Sequence, residues 1–273
     1  MSQTKPKQPW LELRNIEVWQ NNRSLVDRLS LMLRLGESTT VLGPNGSGKS
    51  TLVKLIERRL HPVVKQDSWL RLFGEELIPL QQLRQRIGVV NSELDERIPA
   101  QLTAHDVVLS GLFGSTRLGQ HQQTSRDDHR AVQRRLEELN LIELESRQYC
   151  QLSDGEKRRL LIARAVIHRP EILILDEPAR ALDLRSCHQM LTMIQQLCRL
   201  GVTVVQVTHR IDTIVPEMKR VVLLKAGQVV DDGSPSEMLT SSRLSALFDT
   251  QLTVLDANGY RQVVPHADCS EQL

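Results

Sequence analysis

The feature that most constrains this chain is a glycine-rich segment at residues 43–50, which reads Gly-Pro-Asn-Gly-Ser-Gly-Lys-Ser. It fits the pattern of two glycines separated by four residues, the second followed by Lys and then Ser or Thr. Residues 39–42 before it predict a short strand, and residues 50–60 after it carry apolar side chains at helical spacing. A strand, a glycine loop and a helix in this order predict a loop that binds nucleotide phosphates.

Each part of this loop suits a phosphate ligand. Glycines let backbone N–H groups converge on phosphate oxygens, and the following helix adds its positive end. Lys49 is predicted to reach the outer phosphates and to assist catalysis, and the Ser50 hydroxyl to bind Mg²⁺. The residues predicted to bind the nucleotide are Gly43, Pro44, Asn45, Gly46, Ser47, Gly48, Lys49, Ser50 and Thr51. The loop alone does not separate ATPases from GTPases or small-molecule kinases.

A second chemical feature is the pair Asp176 and Glu177, which ends the apolar run at residues 172–175. Ligands of open parallel sheets bind at the carboxyl ends of the strands, so this position favours a functional role over a solvated loop start. Asp176 is predicted to hold Mg²⁺, directly or through water. Glu177 is predicted to orient or deprotonate the attacking water as a general base.

The order of the segments predicts the fold class. Residues 11–18 and 30–35 alternate apolar and polar side chains, which predicts an N-terminal antiparallel β subdomain. Residues 91–150 are predicted to form an inserted α-helical subdomain, and helices and strands alternate after it. We therefore predict an α/β protein with a mainly parallel core sheet, a P-loop NTPase fold of the RecA-like type. The whole chain, residues 1–273, is predicted to be one domain with its nucleotide-binding core at residues 1–90 and 151–273.

Charge and hydropathy weigh against some classes of function. A net charge of +2 is too small to predict binding driven by nucleic-acid phosphates, so no direct nucleic-acid partner is expected. The longest apolar runs fall far below the roughly 18 residues that a membrane helix needs. Residues 1–9 are polar and lack the apolar stretch of a secretory signal, which predicts a cytoplasmic location.

A third motif, Leu152-Ser153-Asp154-Gly155-Glu156, precedes a predicted helix and then the strand that carries Asp176. Together with the phosphate loop, this order of motifs resembles the nucleotide-binding domains of ABC ATPases over nearly the whole chain. In that family the motif, usually Leu-Ser-Gly-Gly-Gln and called the signature, caps the ATP held by a second subunit. The resemblance implies that Ser153 and Gly155 contact the γ-phosphate bound to a partner.

The resemblance extends to three single residues. Asp183, within Ala-Leu-Asp at residues 181–183, is similar to the D-loop residue that lies along the subunit interface. His209 follows the strand predicted at residues 202–207 and is similar to the switch histidine that touches the γ-phosphate. Trp19 is similar in position to the aromatic residue that stacks on adenine, and a core or turn tryptophan of the first hairpin is the alternative.

The chain departs from the family pattern in two places. Ser92 stands where the family has a glutamine that contacts Mg²⁺ and the attacking water, and its hydroxyl reaches less far. Asp154 replaces a glycine and Glu156 a glutamine in the signature, which places carboxylates near a partner's γ-phosphate. Lys157, Arg158 and Arg159 follow and offset this charge. We expect slower turnover and a weaker closed dimer.

These residues predict the ATP-binding and ATP-hydrolysing subunit of an ABC importer. Residues 102–108 and 233–240 are similar to ATPases that import metal chelates, including iron-siderophores, or cofactors. The implied cofactors are ATP and Mg²⁺. The implied partners are a second ABC ATPase subunit, in a head-to-tail homodimer, and separate transmembrane permease subunits. The implied location is the cytoplasmic face of the inner or plasma membrane.

Three other functions remain open at this point. A soluble ABC ATPase acting on a ribosome, a nucleic acid or another macromolecule would need no membrane partner, and the replaced glutamine leaves room for it. An ATP-dependent dimerisation switch that rarely hydrolyses ATP is disfavoured by Glu177 and His209. A small-molecule kinase needs a phosphate loop, but it has no use for the signature.

Overall fold

The computed structural model describes residues 8–116, 119 and 123–265, so residues 1–7 of the polar N-terminal segment lie outside the described part. In chain order the strands are β1 (Pro9–Gln20), β2 (Arg23–Arg34), β3 (Thr39–Leu42), β4 (Trp69–Leu72), β5 (Ile87–Val90), β6 (Ile172–Asp176), β7 (Thr203–Thr208), β8 (Arg220–Lys225), β9 (Gln228–Gly233), β10 (Leu252–Ala257) and β11 (Tyr260–Pro265). The α-helices are α1 (Lys49–Ile56), α2 (Leu80–Arg86), α3 (Ser92–Arg97), α4 (Ala104–Ser110), α5 (Arg126–Glu138), α6 (Asp154–Val166), α7 (Leu184–Arg199), α8 (Pro235–Met238) and α9 (Ser241–Phe248).

The chain divides into two compact units. The first unit contains the residues up to Ile78 and those from Val205 onward, and the second unit is Pro79–Val204. None of the helices in the described residues is long and apolar enough to cross a bilayer.

An antiparallel sheet with the strand order β2-β1-β4 lies in the first unit. Its hairpin turns at Asn21 and Asn22, which both have positive φ, and such turns match the right-handed twist of the strands they join. Leu11 and Leu13 of β1 are buried, and a bulge after Leu13 then brings Ile16 to a buried position. The predicted antiparallel β subdomain is confirmed.

Parallel strand pairs occur in both units. In the first unit β3 is parallel to β7 and to β8, and β9 pairs with β8 in antiparallel. In the second unit β5 and β6 are parallel, with Val90 opposite Leu175. All residues of β3 are buried, as are Ile172 to Leu175 in β6, which is typical of strands covered on both faces. The predicted mainly parallel sheet is confirmed.

Helices dominate the second unit. Helix α5 starts with a capping box in which Ser125 and Asp128 exchange hydrogen bonds, and it buries Val132 and Leu136 on one face. Helix α6 buries a wider face. Gly111 packs closely on this helix, and no side chain would fit there, because a Cβ on Gly111 would lie only 2.4 Å from the carbonyl oxygen of Arg164. Helix α5 is rich in charged residues because most of its surface faces solvent, whereas α6 has more apolar residues because it buries a wider face.

The elements differ from the sequence prediction in several places, of which three have a clear local cause. Helix α1 ends at Ile56 instead of residue 60, because Arg58 adopts a left-handed φ of +57°. Helix α6 starts at Asp154 instead of residue 156 or 157, because Ser153 and Glu156 cap it. Strand β11 was not predicted, although the Asn-Gly turn at residues 258–259 is a sequence signal for the hairpin that it forms with β10.

Candidate functional site

The phosphate loop, residues 43–50, joins β3 to α1 in the first unit, and its glycines have steric reasons. A Cβ on Gly43 would collide with the carbonyl oxygen of Leu224 and lie 2.6 Å from Ser47 Oγ. Gly46 and Gly48 have φ values of +79° and +99°, which residues with side chains rarely adopt. The backbone of the loop therefore has a shape that only glycine permits at these positions. Along it, Pro44 is half-buried, Asn45 and Gly46 are exposed, and Ser47 is buried.

Lys49 brings a positive charge into this loop. It is the first residue of α1 and is 6% exposed. Its Nζ donates hydrogen bonds to the carbonyl oxygens of Gly43 and Pro44, both at 2.8 Å. Ser50 is exposed and Thr51 is buried in the same helical turn. A held ammonium group, an exposed hydroxyl and a helix N-terminus suit a polyphosphate and its divalent cation.

His209 lies next to the start of the phosphate loop. Strands β3 and β7 are parallel with Leu42 opposite Thr208, and the Gly43 N–H donates to the Thr208 carbonyl oxygen at 3.3 Å. His209 is the following residue and is half-buried. The sheet register therefore brings the predicted switch histidine beside the loop.

The hairpin that carries Trp19 packs against the same loop. Trp19 is 56% exposed and pairs with Ser24 across the hairpin. A Cβ on Gly48 would lie 3.1 Å from the carbonyl oxygen of Leu25, the next residue after Ser24. Trp19 therefore has an exposed ring close to the hairpin segment that touches the loop. It is not a core tryptophan, whereas the alternative of a turn tryptophan stays open, because the hairpin turn follows at Asn21 and Asn22.

Gly227 is a contributor that the sequence prediction missed. Its N–H donates to the Ser47 carbonyl oxygen at 2.9 Å, and its carbonyl oxygen accepts from the Asp27 N–H at 3.4 Å. A Cβ at this position would approach Val26 Cα to 2.8 Å. The glycine thus connects the loop to β2. The signal in the sequence was the Ala-Gly pair at residues 226–227, which is typical of a turn. In the structure both residues have positive φ and join β8 to β9.

Asp176 and Glu177 are at the end of β6 in the second unit, and both are half-buried. Because β5 and β6 are parallel and in register, Asn91 follows β5 at the level where Asp176 ends β6. Asn91 Oδ1 accepts a hydrogen bond from the Leu94 N–H at 3.0 Å and so caps α3. Ser92 is the exposed first residue of that helix. Glu177 has a φ of +49°, an unfavourable conformation for a residue with a side chain that is characteristic of functional sites.

The signature and the D-loop residue lie side by side in the second unit. Ser153 caps α6 and Asp183 caps α7, where Asp183 Oδ1 accepts from the Ser186 N–H at 2.8 Å. This hydrogen bond is the main cause of the lowered pKa of Asp183. Gly155 is buried directly against Ser186, since a Cβ on Gly155 would lie 2.5 Å from Ser186 Oγ. The two motifs therefore meet through a contact that depends on glycine.

Glu156 of the signature has an internal role. Its Oε2 accepts hydrogen bonds from the Ser153 N–H at 2.7 Å and the Ser153 hydroxyl at 2.9 Å. Its Oε1 accepts from Arg147 at 2.9 Å. Burial alone raises the pKa of Glu156, but the hydrogen bonds from Ser153 and the charge of Arg147 outweigh it and lower the pKa. Asp154, in contrast, is exposed on the first turn of α6.

Comparisons with known proteins agree with this arrangement of motifs. Residues 26–180 match the family described as ABC transporter. A putative ABC transporter ATP-binding protein of Streptococcus mutans is 32% identical over 255 residues, covering 92% of this chain and 96% of that protein. The hemin import ATP-binding protein HmuV of Plesiomonas shigelloides is 32% identical over 256 residues, covering 86% of this chain and 93% of that protein.

Among solved structures, a putative metal-chelate type ABC transporter in an inward-facing conformation aligns with a TM-score of 0.76 at 26% identity. The alignment covers 95% of this chain and 98% of that chain. The family match includes the phosphate loop, the signature and the Asp176–Glu177 pair. This chain belongs to the ABC transporter family, in which it is an ATP-binding subunit that hydrolyses ATP.

Proposed function

We propose that this chain drives solute import by binding and hydrolysing Mg-ATP in a head-to-tail dimer that docks on separate permease subunits. The observation that carries the proposal is the phosphate loop of the first unit, where Lys49 is held inside a glycine-dependent backbone cradle beside His209. Relatives named as import ATP-binding proteins, such as the hemin protein of Plesiomonas shigelloides, support the direction of transport.

In this proposal the loop from Gly43 to Thr51 holds the phosphates through backbone N–H groups. Lys49 turns from its two carbonyl acceptors towards the β- and γ-phosphates, and Trp19 offers its exposed ring to adenine. Ser50, through its hydroxyl, and Asp176, through its carboxylate, are the residues that would hold Mg²⁺. When bound, the cation would offset negative charge on the phosphates.

Hydrolysis is assigned to two further residues. Glu177 accepts a proton from the attacking water, or orients that water in line with the γ-phosphate, as a general base. His209 donates a hydrogen bond to a γ-phosphate oxygen and so marks its presence. Ser92 offers only a short hydroxyl near this water, which is why we expect slow turnover.

A second copy of the chain completes each nucleotide site. Ser153 and the N-terminus of α6 face the γ-phosphate held by the partner's phosphate loop, and Asp183 lies along the interface. The direct packing of Gly155 on Ser186 supports this assignment, because it makes the signature and Asp183 move as one surface. Binding of ATP would close the dimer, and release of products would reopen it.

A cleft in the second unit is the proposed docking place for a permease. It has a volume of about 500 Å³ and lies between α2 and the short turn after α4. Its lining includes Arg84, Leu112, Phe113 and His168. The apolar side chains of Leu112 and Phe113, with the polar Gln81, Gln85 and Arg84 around them, suit a short amphipathic helix of a membrane subunit, and this docking would place the chain on the cytoplasmic face of the membrane.

Two measurements test the proposal. The ATPase rate of the Glu177→Gln variant is expected to fall at least a hundredfold, whereas the control Glu143→Gln, at an exposed position, keeps the wild-type rate. A Glu177→Gln variant with the wild-type rate would overturn the assignment of the base.

The second measurement identifies the partner. Glu177→Gln would be purified with ATP from detergent-solubilised cells and its companions identified by mass spectrometry. A stoichiometric protein with several membrane spans supports import. Recovery of ribosomal proteins or nucleic acid without any membrane protein would instead favour a soluble ABC ATPase, the function that the Ser92 replacement leaves open.

A further inference from the structure

A buried tyrosine ties helix α3 to the turn that precedes the signature. The Tyr149 hydroxyl donates a hydrogen bond of 2.6 Å to Asp95 Oδ1, and Tyr149 is 4% exposed. The Tyr149 N–H donates to the Leu102 carbonyl oxygen at 2.8 Å, which fixes the backbone of this turn. Lys157 Nζ, in α6, lies 5.5 Å from the centre of the Tyr149 ring, within the range of a cation–π contact.

One end of this connection leads to the acidic pair, Asp176 and Glu177. Strands β5 and β6 run in parallel and end at the same level, so α3 starts beside Asp176. Asn91 caps the first turn of α3, and Asp95 is the fourth residue of that six-residue helix. A movement of the chain after β5 therefore reaches Asp95 through a single capped helical turn.

The other end leads to the signature. The Leu152 N–H donates to the Tyr149 carbonyl oxygen at 3.2 Å, and the next residue, Ser153, caps α6. Burial first, and then the hydrogen bond to Asp95, raise the pKa of Tyr149, so the hydroxyl stays protonated and remains the donor at neutral pH. Tyr149 thus contacts α3 through its hydroxyl and α6 through its ring and its turn.

We infer that Asp95 and Tyr149 are positioning residues that couple the segment beside Asp176 and Glu177 to the signature at Ser153 and Gly155. The inference rests on the proposed function. It assigns these two residues to the connection between Glu177, the general base for the ATP bound by this chain, and the signature, which contacts the ATP bound by the partner. Neither residue belongs to the motifs assigned above to nucleotide binding. Their effect is to set how strongly closure of the dimer and placement of Glu177 depend on each other.

The fold tolerates loss of this hydrogen bond. Asp95 is only half-buried, so water can replace the Tyr149 hydroxyl as its donor in a Tyr149→Phe variant, and the ring still packs beside Lys157. Asp95→Asn retains an acceptor oxygen but lacks the negative charge. Both variants therefore test the link itself, with the buried ring left in place.

The experiment compares Tyr149→Phe, Asp95→Asn and the double variant in the full-length chain. Controls are Tyr260→Phe, at the other tyrosine of the sequence, and Asp127→Asn, at an exposed position on α5. Three quantities are measured: the ATPase rate against ATP concentration, ATP-dependent dimerisation in the Glu177→Gln background, and binding of a fluorescent ATP analogue to the dilute monomer. Thermal unfolding checks that each variant is folded.

We expect each single variant to lower kcat and dimerisation roughly 2- to 30-fold, the range found for residues along coupling networks. Analogue binding to the monomer should be unchanged, since neither residue belongs to the phosphate loop. The kcat and dimerisation of the double variant should be no lower than those of the more impaired single variant. All three variants change the same hydrogen bond, the one between Tyr149 and Asp95.

Two results would overturn the inference: single variants with wild-type kcat and dimerisation, or losses that multiply in the double variant. These results differ from failure of the proposed function. Suppose that the wild-type chain hydrolyses ATP, that Glu177→Gln does not, and that the Asp95 and Tyr149 variants give one of these two results. The proposed function then stands, and only the role of Asp95 and Tyr149 is refuted. If Glu177→Gln keeps the wild-type rate, the base assignment fails first.

Discussion

The contact between Gly155 and Ser186 makes a prediction that separates steric from chemical roles of the signature. An alanine Cβ at position 155 would lie 2.5 Å from Ser186 Oγ and 2.6 Å from Ser186 Cβ, both well inside van der Waals contact. Because Ser186 Oγ donates to Asp183 Oδ2 at 3.0 Å, the serine cannot move without disturbing the cap of α7. Gly155→Ala should therefore separate the signature from Asp183.

The size of the effect follows from opposing terms. Alanine within a helix gains about 0.5–1 kcal/mol over glycine, whereas forcing an extra methyl group into a packed contact costs about 1–3 kcal/mol. Disturbance of the hydrogen bond between Ser186 and Asp183 adds about 0.5–1.5 kcal/mol. We expect Gly155→Ala to lower the free energy of unfolding by about 0.5–4 kcal/mol, and to lower ATP-dependent dimerisation more than it lowers stability.

A second substitution identifies the cause. Ser186→Ala removes Oγ but leaves Cβ at 2.6 Å, whereas Ser186→Gly leaves Cα, at 3.6 Å, as the nearest atom. Urea unfolding of the single and double variants should show that Ser186→Gly relieves the defect of Gly155→Ala and that Ser186→Ala does not. Full stability of Gly155→Ala, or equal relief by both serine variants, would refute the steric reasoning.

Three further predictions follow from single side chains. Lys49→Ala should lower affinity for an ATP analogue by about tenfold or more in equilibrium titration, because the ammonium is held at the loop by the carbonyl oxygens of Gly43 and Pro44, where the phosphates are proposed to bind. Glu156→Ala should lower the melting temperature at pH 7 and lose this difference as the pH falls below about 4.5, because the folded state holds Glu156 ionised and its pKa is lowered. Burial, and then the charge of Arg164, lower the pKa of His168, so the unfolded chain takes up the proton first and stability declines as the pH falls below about 6.5. A His168→Gln variant should show a smaller drop in melting temperature between pH 7.5 and 5.5.

Much of the fold was predictable because hydrophobic period and turn chemistry act locally. The phosphate loop, the antiparallel hairpin and the buried strand before Asp176 each carry their signal within one short stretch of chain. The parallel pairing of β3 with β7, which brings His209 beside Gly43, joins Thr39 to Val205, and the local pattern of each segment predicts only that it is a strand. Its register became visible only in the structure.

The packing role of glycines was the least predictable part of the candidate site. Gly227 contacts Ser47 and Asp27 through its backbone alone, so no side-chain pattern pointed to it. The burial of Gly155 against Ser186 likewise depends on where α7 starts, and Asp183 fixes that start by capping the helix. Contacts of backbone with backbone leave no residue type in the sequence other than glycine, which also occurs in ordinary turns.

The two unusual residues of the signature have different physical consequences. Glu156 is neutralised within the chain, because its carboxylate caps α6 and binds Arg147, so its charge adds little to repulsion of a phosphate. Asp154 is exposed on the first turn of α6, where a negative charge stabilises the helix by about 0.3–1 kcal/mol. That same charge opposes an anion approaching the helix N-terminus. We therefore predict that Asp154 weakens the closed dimer more than Glu156 does, as a trade between the stability of α6 in the monomer and its affinity for the partner's γ-phosphate.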